Sequence, residues 1–314
     1  MKKRILSILI TLCMVLCLVP TGVFAEGETV KTVATERELI DALNDSTNDT
    51  VKLTADIKFN DTLNITRTVT LDLNGCMLGK FYKGSQNYTP SVSVESGGVL
   101  TLIDSDPTVE RRFSSYKNLW TLADHGDHVA RGGIITGSIY FMETCVYVKS
   151  GGSFIMKGGN IVGGQAEYGG GVRVEGSFTM EGGNIMGCRT EMSGGGVYVG
   201  NGTFTMNGGK IDNCSTYFDG DGIYFNGSSV MYASGGEVNV NIFIESNSRI
   251  TAGTALDGAT VFKSGVENTG TIEHGMFSGE VTTPALSPAV RLPRQARSPI
   301  RSAVPSPAVL STER

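Results

Sequence analysis

Four side chains with binding chemistry recur along the sequence at a nearly constant interval. Tyr147, Arg173, Tyr198 and Tyr224 are separated by steps of 26, 25 and 26 residues, and each lies between two apolar residues. Tyrosine rings and guanidinium groups stack on sugar rings and on one another. Together with Trp120, these residues are the candidate ligand-binding residues. The alternative is that β-strands simply favour tyrosine and that the column stacks for stability.

Acidic residues form a second group with potential chemistry, because clustered oxygens suit Ca²⁺. Those expected in bends of neighbouring repeats are Glu167, Glu191, Asp212, Asp219 and Asp221. A polysaccharide lyase combines such a site with a basic residue that abstracts a proton, and the basic residues nearby are Arg173 and Arg189. Solvated surface acids are the alternative. We expect no cofactor and no catalytic residue, with calcium at these bends as the competing interpretation.

The segment 104–137 is predicted to be an insertion and contains the one concentration of histidine and aspartate. Its motif ADHGDH consists of Asp124, His125, Asp127 and His128. Two imidazoles and two carboxylates could bind zinc. Their spacing, however, matches no established zinc motif, and a polar turn explains the same composition, so we expect no metal. The single tryptophan, Trp120, either packs the insertion against the barrel or, if exposed, contacts a sugar or a protein.

Cys188 and Cys214 are 26 residues apart, which is one repeat. Equivalent positions in adjacent repeats lie at about the 4.8 Å strand spacing, within disulfide reach. A bond between them would contribute about 3.5 kcal/mol on the loop-entropy model. Two reduced, stacked thiols are the alternative.

The interval between these residues reflects an internal repeat. GVRVEGSFTMEGGNI begins at Gly171, and GVYVGNGTFTMNGGKI begins at Gly196. Within each unit the apolar residues alternate as Val-x-Val and Phe-x-Met, followed by an isoleucine after two glycines, and this alternation predicts strands. A period of this length is typical of a solenoid. We therefore predict an all-β chain, a right-handed parallel β-helix with three short strands per coil.

The β-helix is predicted over residues 50–281, because weaker copies of the pattern flank the clear ones. Residues 26–49 are predicted to cap its N-terminal end with a short amphipathic helix. Thr35 and Glu38 form a capping box there, ahead of an apolar face. The residues of that face are Leu39, Ile40 and Leu43.

The two ends of the sequence differ from the repeats. Residues 1–25 combine a basic start, an apolar run and a small-residue cleavage site, which is typical of a secretory signal peptide rather than a membrane anchor. Residues 282–314 are rich in proline and arginine and are predicted to be disordered. We hypothesise that this tail is repeat DNA read in a shifted frame, because residues 303–308 can be encoded by bases that read Gly-Thr-Ile-Thr-Gly-Gly in another frame.

Net charge excludes some partners. The chain has 26 Lys and Arg and 31 Asp and Glu; without residues 1–25 and 282–314, 18 and 30 remain, a net charge of −12. Such an acidic surface repels nucleic acid and anionic membranes. After removal of the signal peptide, we expect an extracellular chain with no integral membrane segment, in a compartment where disulfides form.

The sequence resembles the secreted or surface β-helix repeat proteins of gut-type Gram-positive bacteria, which belong to the pectate-lyase-like superfamily. The stretches that carry the resemblance are TVKLTADI…TVTLDLNG and GGGVYV…GTFTMNGG. The resemblance covers most of residues 30–280 and implies the β-helix fold. It does not imply one activity, because this fold is found in lyases, hydrolases, adhesins and stalks. Surface members usually end in a sorting motif or further repeats, and no Leu-Pro-x-Thr-Gly motif occurs in this sequence.

These observations favour a secreted, non-catalytic β-helix surface protein that serves as an adhesin or a glycan-binding stalk. Its partner would be a glycan or a component of a host or bacterial surface. The alternatives are a polysaccharide lyase or glycoside hydrolase acting on acidic polysaccharide, and a truncated pseudogene product. An enzyme needs loops that border a groove, and the insertion at 104–137 is the candidate for such a wall.

Overall fold

The apolar alternation of each repeat produces parallel strands that stack coil upon coil, and the predicted class, an all-β parallel β-helix, is confirmed. In this computed structural model the described residues are 29–80, 89–117, 119–137, 144–217, 221–245 and 247–252, together with the five short strands at 261–262, 266–268, 271–272, 276–277 and 281–282. The predicted signal peptide and all but the first residue of the predicted tail lie outside them.

The largest sheet, sheet A, has seventeen strands arranged as two parallel rows. Its strands are β1 (Val30–Val33), β2 (Thr50–Leu53), β3 (Ile57–Phe59), β5 (Thr68–Asp72), β6 (Met77–Lys80), β8 (Val99–Ile103), β12 (Ile134–Thr136), β14 (Ser153–Met156), β15 (Asn160–Val162), β18 (Ser177–Met180), β19 (Asn184–Met186), β22 (Thr203–Asp212), β25 (Val230–Val238), β27 (Arg249–Ala252), β28 (Val261–Phe262), β30 (Thr271–Ile272) and β31 (Met276–Phe277). The long strands β22 and β25 each contribute to both rows, because β22 pairs with β18 and with β19, and β25 pairs with β27 and with β28. In these two coils, the second and third strands that we predicted as separate form one continuous strand.

Sheet B has nine parallel strands, one from each coil. They are β4 (Leu63–Ile65), β7 (Val92–Val94), β13 (Val146–Val148), β17 (Val172–Val174), β21 (Val197–Gly200), β24 (Asp221–Asn226), β26 (Asn241–Ile244), β29 (Val266–Asn268) and β32 (Val281–Thr282). Val172 pairs with Val197, and Val197 pairs with Ile223. All three side chains are fully buried, so equivalent residues lie one above the other as the repeat predicts.

The core between the sheets contains ladders of identical residue types in the central coils. Phe154, Phe178 and Phe204 are fully buried and stack with centroid separations of 5.0 and 4.9 Å. The paired glycines at one corner of the central coils let the backbones of adjacent coils approach closely. At Gly183, where φ is +75°, an added Cβ would lie 2.5 Å from the carbonyl oxygen of Gly159.

Three coils carry a fourth strand that the sequence analysis did not predict. Sheet D consists of β16 (Gln165–Tyr168), β20 (Arg189–Ser193) and β23 (Ser215–Thr216). The inward residues of these strands are small or hydroxylated, namely Ala166, Thr190 and Thr216, all of which are buried. Because they are not large apolar residues, the alternation that reveals a strand is hidden. Glu167 and Glu191 therefore lie in strands, not in the bends where we predicted them.

The insertion forms a side sheet, sheet C, with antiparallel strands β9 (Glu110–Tyr116), β10 (Leu119–Leu122) and β11 (His128–Arg131). It packs on the barrel through a separate apolar cluster that includes Phe113, Trp120 and Val162. The predicted end at 137 is wrong, because β12 already pairs with β6 and β15 in sheet A. The two isoleucines of β12 are fully buried, so β12 is a strand of the barrel and not of the insertion.

The predicted N-terminal helix is present as α1 (Glu36–Asn44). Its capping box forms as expected: the Glu38 amide donates to the Thr35 hydroxyl at 3.3 Å, and the Thr35 amide donates to the Glu38 carboxylate at 3.2 Å. The buried residues of α1 are Leu39, Ala42 and Leu43. Ile40, which we placed on the apolar face, is 36% exposed, because its position turns away from the end of the core.

Candidate functional site

The four recurring residues form one column on the outer face of sheet B. Tyr147 pairs with Arg173, Arg173 with Tyr198, and Tyr198 with Tyr224. The apolar residues on either side of each member are buried in the core, so the middle residue points outward. Phe243 of β26 continues the column by one more coil. We call Tyr147, Arg173, Tyr198 and Tyr224 the sheet B column.

Neighbouring members of the sheet B column stack in two pairs, Arg173 on Tyr147 and Tyr198 on Tyr224. The guanidinium carbon of Arg173 lies 4.8 Å from the centroid of the Tyr147 ring. The Tyr198 and Tyr224 rings are 5.9 Å apart and nearly parallel, and Tyr224 lies 4.8 Å from Phe243. Since each ring covers part of its neighbour, the column offers ring edges and polar tips to a partner more than open ring faces. These contacts support the stabilising role that we gave as the alternative.

A polar row borders the column. Arg173 donates to Glu175 at 2.6 Å, and the Tyr224 hydroxyl donates to Glu245 at 2.7 Å. The Tyr198 hydroxyl accepts a hydrogen bond from the Asn226 amide at 2.8 Å. These bonds hold the tips of the column in place, so the outer face of sheet B presents an ordered series of hydroxyl, amide and carboxylate groups.

Electrostatics favours the neutral form of Tyr147 and the charged form of Arg173. Burial raises the pKa of Tyr147 to about 12, and its hydrogen bond to Glu175 acts in the same direction. Burial disfavours the charge of Arg173, but the Glu175 hydrogen bond and the neighbouring tyrosines outweigh it and raise the pKa of the guanidinium. Arg173 therefore stays protonated and is poorly suited to be the general base of a lyase.

A second aromatic cluster lies where the tip of the β9–β10 hairpin meets sheet D. We call its four residues, Tyr116, Lys117, Arg189 and Tyr217, the hairpin-tip cluster. The Lys117 ammonium lies 5.7 Å from the Tyr116 ring centroid and 4.8 Å from that of Tyr217. The Arg189 guanidinium lies 5.2 Å from the Tyr217 centroid, and it donates to the carbonyls of Tyr116 and Lys117 at 3.5 Å.

Sequence reasoning missed the hairpin-tip cluster because its members come from segments without a common period. Tyr116 and Lys117 belong to the insertion, whereas Arg189 and Tyr217 belong to two different coils. The available signal was local: SYKN, at residues 115–118, has a turn-like composition that places a tyrosine and a lysine at an exposed hairpin tip. The contact with Tyr217 required the fold.

Trp120 lies under the hairpin rather than on the surface. Its side chain is 6% exposed, its ring stacks on His128 at 4.4 Å, and its amide donates to the carbonyl of Gly187 at 2.9 Å. This burial supports the packing interpretation, in which Trp120 fixes the insertion to the barrel. Trp120 could contact a ligand only if the hairpin separated from the barrel.

The acidic residues that the structure describes do not converge on one point. Among the described residues, no group of three or more His, Cys, Asp or Glu side chains is close enough to hold a metal ion. Asp212 is paired with Lys210 at 2.8 Å, and His128 of the ADHGDH motif contacts Asp127 at 3.7 Å. Asp219 lies outside the described residues. Calcium at these positions therefore remains a prediction without a geometric site in the described part of the chain.

The structure records Cys188 and Cys214 as free thiols at equivalent positions of adjacent coils. Both are buried. Glycines make room for the sulfur atoms: an added Cβ at Gly171 would lie 3.3 Å from the Cys188 Sγ, and one at Gly196 would lie 3.1 Å from the Cys214 Sγ. Burial raises the pKa of the Cys214 thiol well above its usual value, and the adjacent Cys188 thiol contributes. The disulfide stays a prediction.

The fold and this surface define the chain as a parallel β-helix solenoid with an outward column of aromatic and charged groups. No family model matches the sequence, and no curated protein matches it. Among solved structures, the chain is similar to "L. reuteri 53608 SRRP", with 14% identity and a TM-score of 0.27, over 83% of this chain and 98% of that one. A similarity at this level carries no argument about function. In the described part of the chain, no helix has the length and apolarity needed to cross a bilayer.

Proposed function

We propose that the protein is a secreted, non-catalytic β-helix surface protein whose rigid sheet B contacts glycans or another surface component. The observation that carries the proposal is the sheet B column, in which Tyr147, Arg173, Tyr198 and Tyr224 lie in strict register across four coils. The parallel ladder repeats at about 4.8 Å, so the column presents its polar tips at regular spacing. Regular spacing suits a repetitive partner such as a polysaccharide.

The competing function, a lyase or hydrolase acting on acidic polysaccharide, has less support. Of the two basic residues near the acids, Arg173 is held protonated by Glu175, and Arg189 is only 7% exposed beneath the hairpin tip. Neither side chain is therefore open to take a proton from a substrate. The proposed function requires no cofactor, and the net charge of −12 on residues 26–281 disfavours nucleic acid as a partner.

A glycan array probed with the secreted chain tests the proposal. Tyr224→Phe removes the hydroxyl that donates to Glu245 and leaves the stacked ring, so it isolates hydrogen bonding at the edge of the column. We expect it to weaken binding about fivefold, the worth of one ordinary hydrogen bond. Tyr232→Phe is the matched control, because Tyr232 is 45% exposed and lies in β25 of sheet A. Binding should be unchanged by EDTA.

Two results would contradict the proposal. One is equal affinity for Tyr224→Phe, Arg173→Ala and the unaltered chain on every glycan. The other is the release of unsaturated or reducing sugar from a panel of polyuronates, abolished by Arg173→Ala. The second result would establish the enzymatic alternative.

A further inference from the structure

We propose that the hairpin-tip cluster is a second binding site, separate from sheet B, for a sugar that carries an anionic group. It joins the insertion to two coils of the barrel. Two tyrosine rings supply stacking surfaces, and two cations lie beside them within 6 Å of the ring centroids. That combination matches a ligand with both an apolar ring face and a negative charge.

The tyrosines of the cluster are open to solvent. Tyr116 is 69% exposed and Tyr217 is 49% exposed, whereas Tyr198 of the sheet B column is 9% exposed. A sugar ring can therefore stack on the exposed part of these rings. The column lacks this accessibility, since its rings already cover one another.

The hairpin-tip cluster contains two positively charged side chains, whereas the chain as a whole has a net negative charge. Lys117 is exposed, and no ion pair is recorded for it within the described residues, although its ammonium is close to both rings. Since the chain without its two ends carries −12, long-range attraction does not gather polyanions on its surface. An anionic glycan that binds would be drawn to local cations, and a sugar stacked on either tyrosine brings its acid group toward the Lys117 ammonium.

The hairpin tip is held in place for this role. Arg189 is 7% exposed and anchors the tip by donating to two of its carbonyls. Lys117 has φ of +48°, a left-handed conformation that glycine or asparagine adopts with less strain. Strain of this kind persists where the surrounding structure enforces it and is common at binding sites. A glycine at this turn would relieve the strain but would remove the ammonium.

Three polymers with one backbone test the proposal: dextran, carboxymethyl-dextran and dextran sulfate. Affinities of the secreted chain are measured by biolayer interferometry at two salt concentrations. We expect binding to at least one charged polymer, no binding to dextran, and weaker binding at higher salt. The two charged arms show whether a carboxylate or a sulfate is the preferred anion.

The variants separate this site from sheet B. Lys117→Gln should weaken binding about tenfold, and Tyr116→Ala and Tyr217→Ala about fivefold or more. Two controls, Lys31→Gln for a lost exposed charge and Tyr232→Ala for a lost exposed ring, should remain within about twofold. Tyr224→Phe should leave binding to the charged dextrans unchanged, so failure here is distinct from failure of the proposed function. Circular dichroism confirms that each variant is folded.

Three results would overturn the proposal. They are equal binding of dextran and its charged derivatives, unaltered affinity in Lys117→Gln and both tyrosine variants, and the absence of binding to both charged polymers at millimolar sugar concentration. Lys117→Gln keeps the test valid if a tyrosine variant unfolds, since the Lys117 side chain is exposed.

Discussion

The Phe178 and Phe204 rings lie 4.9 Å apart with 6° between their planes, and both are fully buried. Each coil therefore uses the ring of the next coil as part of its own core. We predict that Phe178→Ala lowers the free energy of unfolding by about 3–5 kcal/mol, because it leaves a cavity against Phe154 and Phe204. The midpoint of urea denaturation measures the change.

Thr179→Ala is the control for this substitution. Thr179 is the next residue of β18, and its side chain is on the outer face of the strand, partly exposed to solvent. We expect a change of less than about 1 kcal/mol. Equal destabilisation by the two variants would mean that the stack of rings does not hold the coils together.

The contact between Gly187 and Trp120 ties the insertion to the barrel. A Cβ at Gly187 would lie 2.0 Å from the Trp120 Cγ, and the Gly187 φ is +61°. We predict that Gly187→Ala displaces the hairpin and exposes the indole. Because the chain has a single tryptophan, its fluorescence reports this contact directly, and the emission should shift to longer wavelength.

Gly97→Ala separates backbone strain from the steric contact. Gly97 has φ of +81°, but an added Cβ there would have no atom within 4 Å. It should reduce stability by about 1 kcal/mol and leave the tryptophan emission unchanged. If Gly187→Ala also leaves the emission unchanged, the hairpin is not positioned by this contact.

The fold could be predicted to the extent that large apolar residues mark it. Val172, Val197 and Ile223 show the alternation and the period, and the structure places them in adjacent strands. Sheet D could not be predicted, because Ala166 and Thr190 face inward there and neither is a strong hydrophobic signal. A strand whose buried residues are small looks like a loop in sequence.

The candidate site divides in the same way. The register of Tyr147 and Arg173 follows from the repeat, but the extent to which the rings cover one another depends on side-chain orientation that spacing does not specify. Tyr116 and Tyr217 belong to no shared pattern, so only the folded hairpin brings both of them to Lys117. Insertions into a repeat protein lack the periodic constraint that makes the rest predictable.

Cys188 and Cys214 follow the same repeat, which makes them candidates for a crosslink in an oxidising compartment. We predict that peptide mapping of the non-reduced, secreted chain yields a linked peptide that joins these two cysteines. The bond would stabilise the fold by about 3.5 kcal/mol on the loop-entropy model, and Cys214→Ser should remove that gain. Alkylation of both thiols in the unfolded, non-reduced chain would contradict the crosslink.

Thiol reactivity provides a separate prediction for the reduced protein. Burial and the adjacent Cys188 thiol raise the pKa of Cys214 well above its usual value, so the reactive thiolate is scarce at neutral pH. We expect Cys214 to be alkylated far more slowly in the native, reduced chain than in the same chain in denaturant. Similar rates in the two states would show that this corner of the core opens readily.

Alkaline titration tests the electrostatics of the sheet B column. Burial, followed by the hydrogen bond to Glu175, raises the pKa of Tyr147 to about 12, against about 10 in an unfolded chain. Because the folded state holds this proton more tightly, the resulting stability is fully present below pH of about 10 and is lost as the pH rises toward about 12. The difference in tyrosinate absorbance between the unaltered chain and Tyr147→Phe should therefore appear only well above pH of about 10.

The variant Glu175→Gln should lower the pKa of Tyr147, whereas the control Glu167→Gln on sheet D should not. A difference spectrum that titrates near pH 10 would show that Tyr147 is more accessible to water than its place in the column implies.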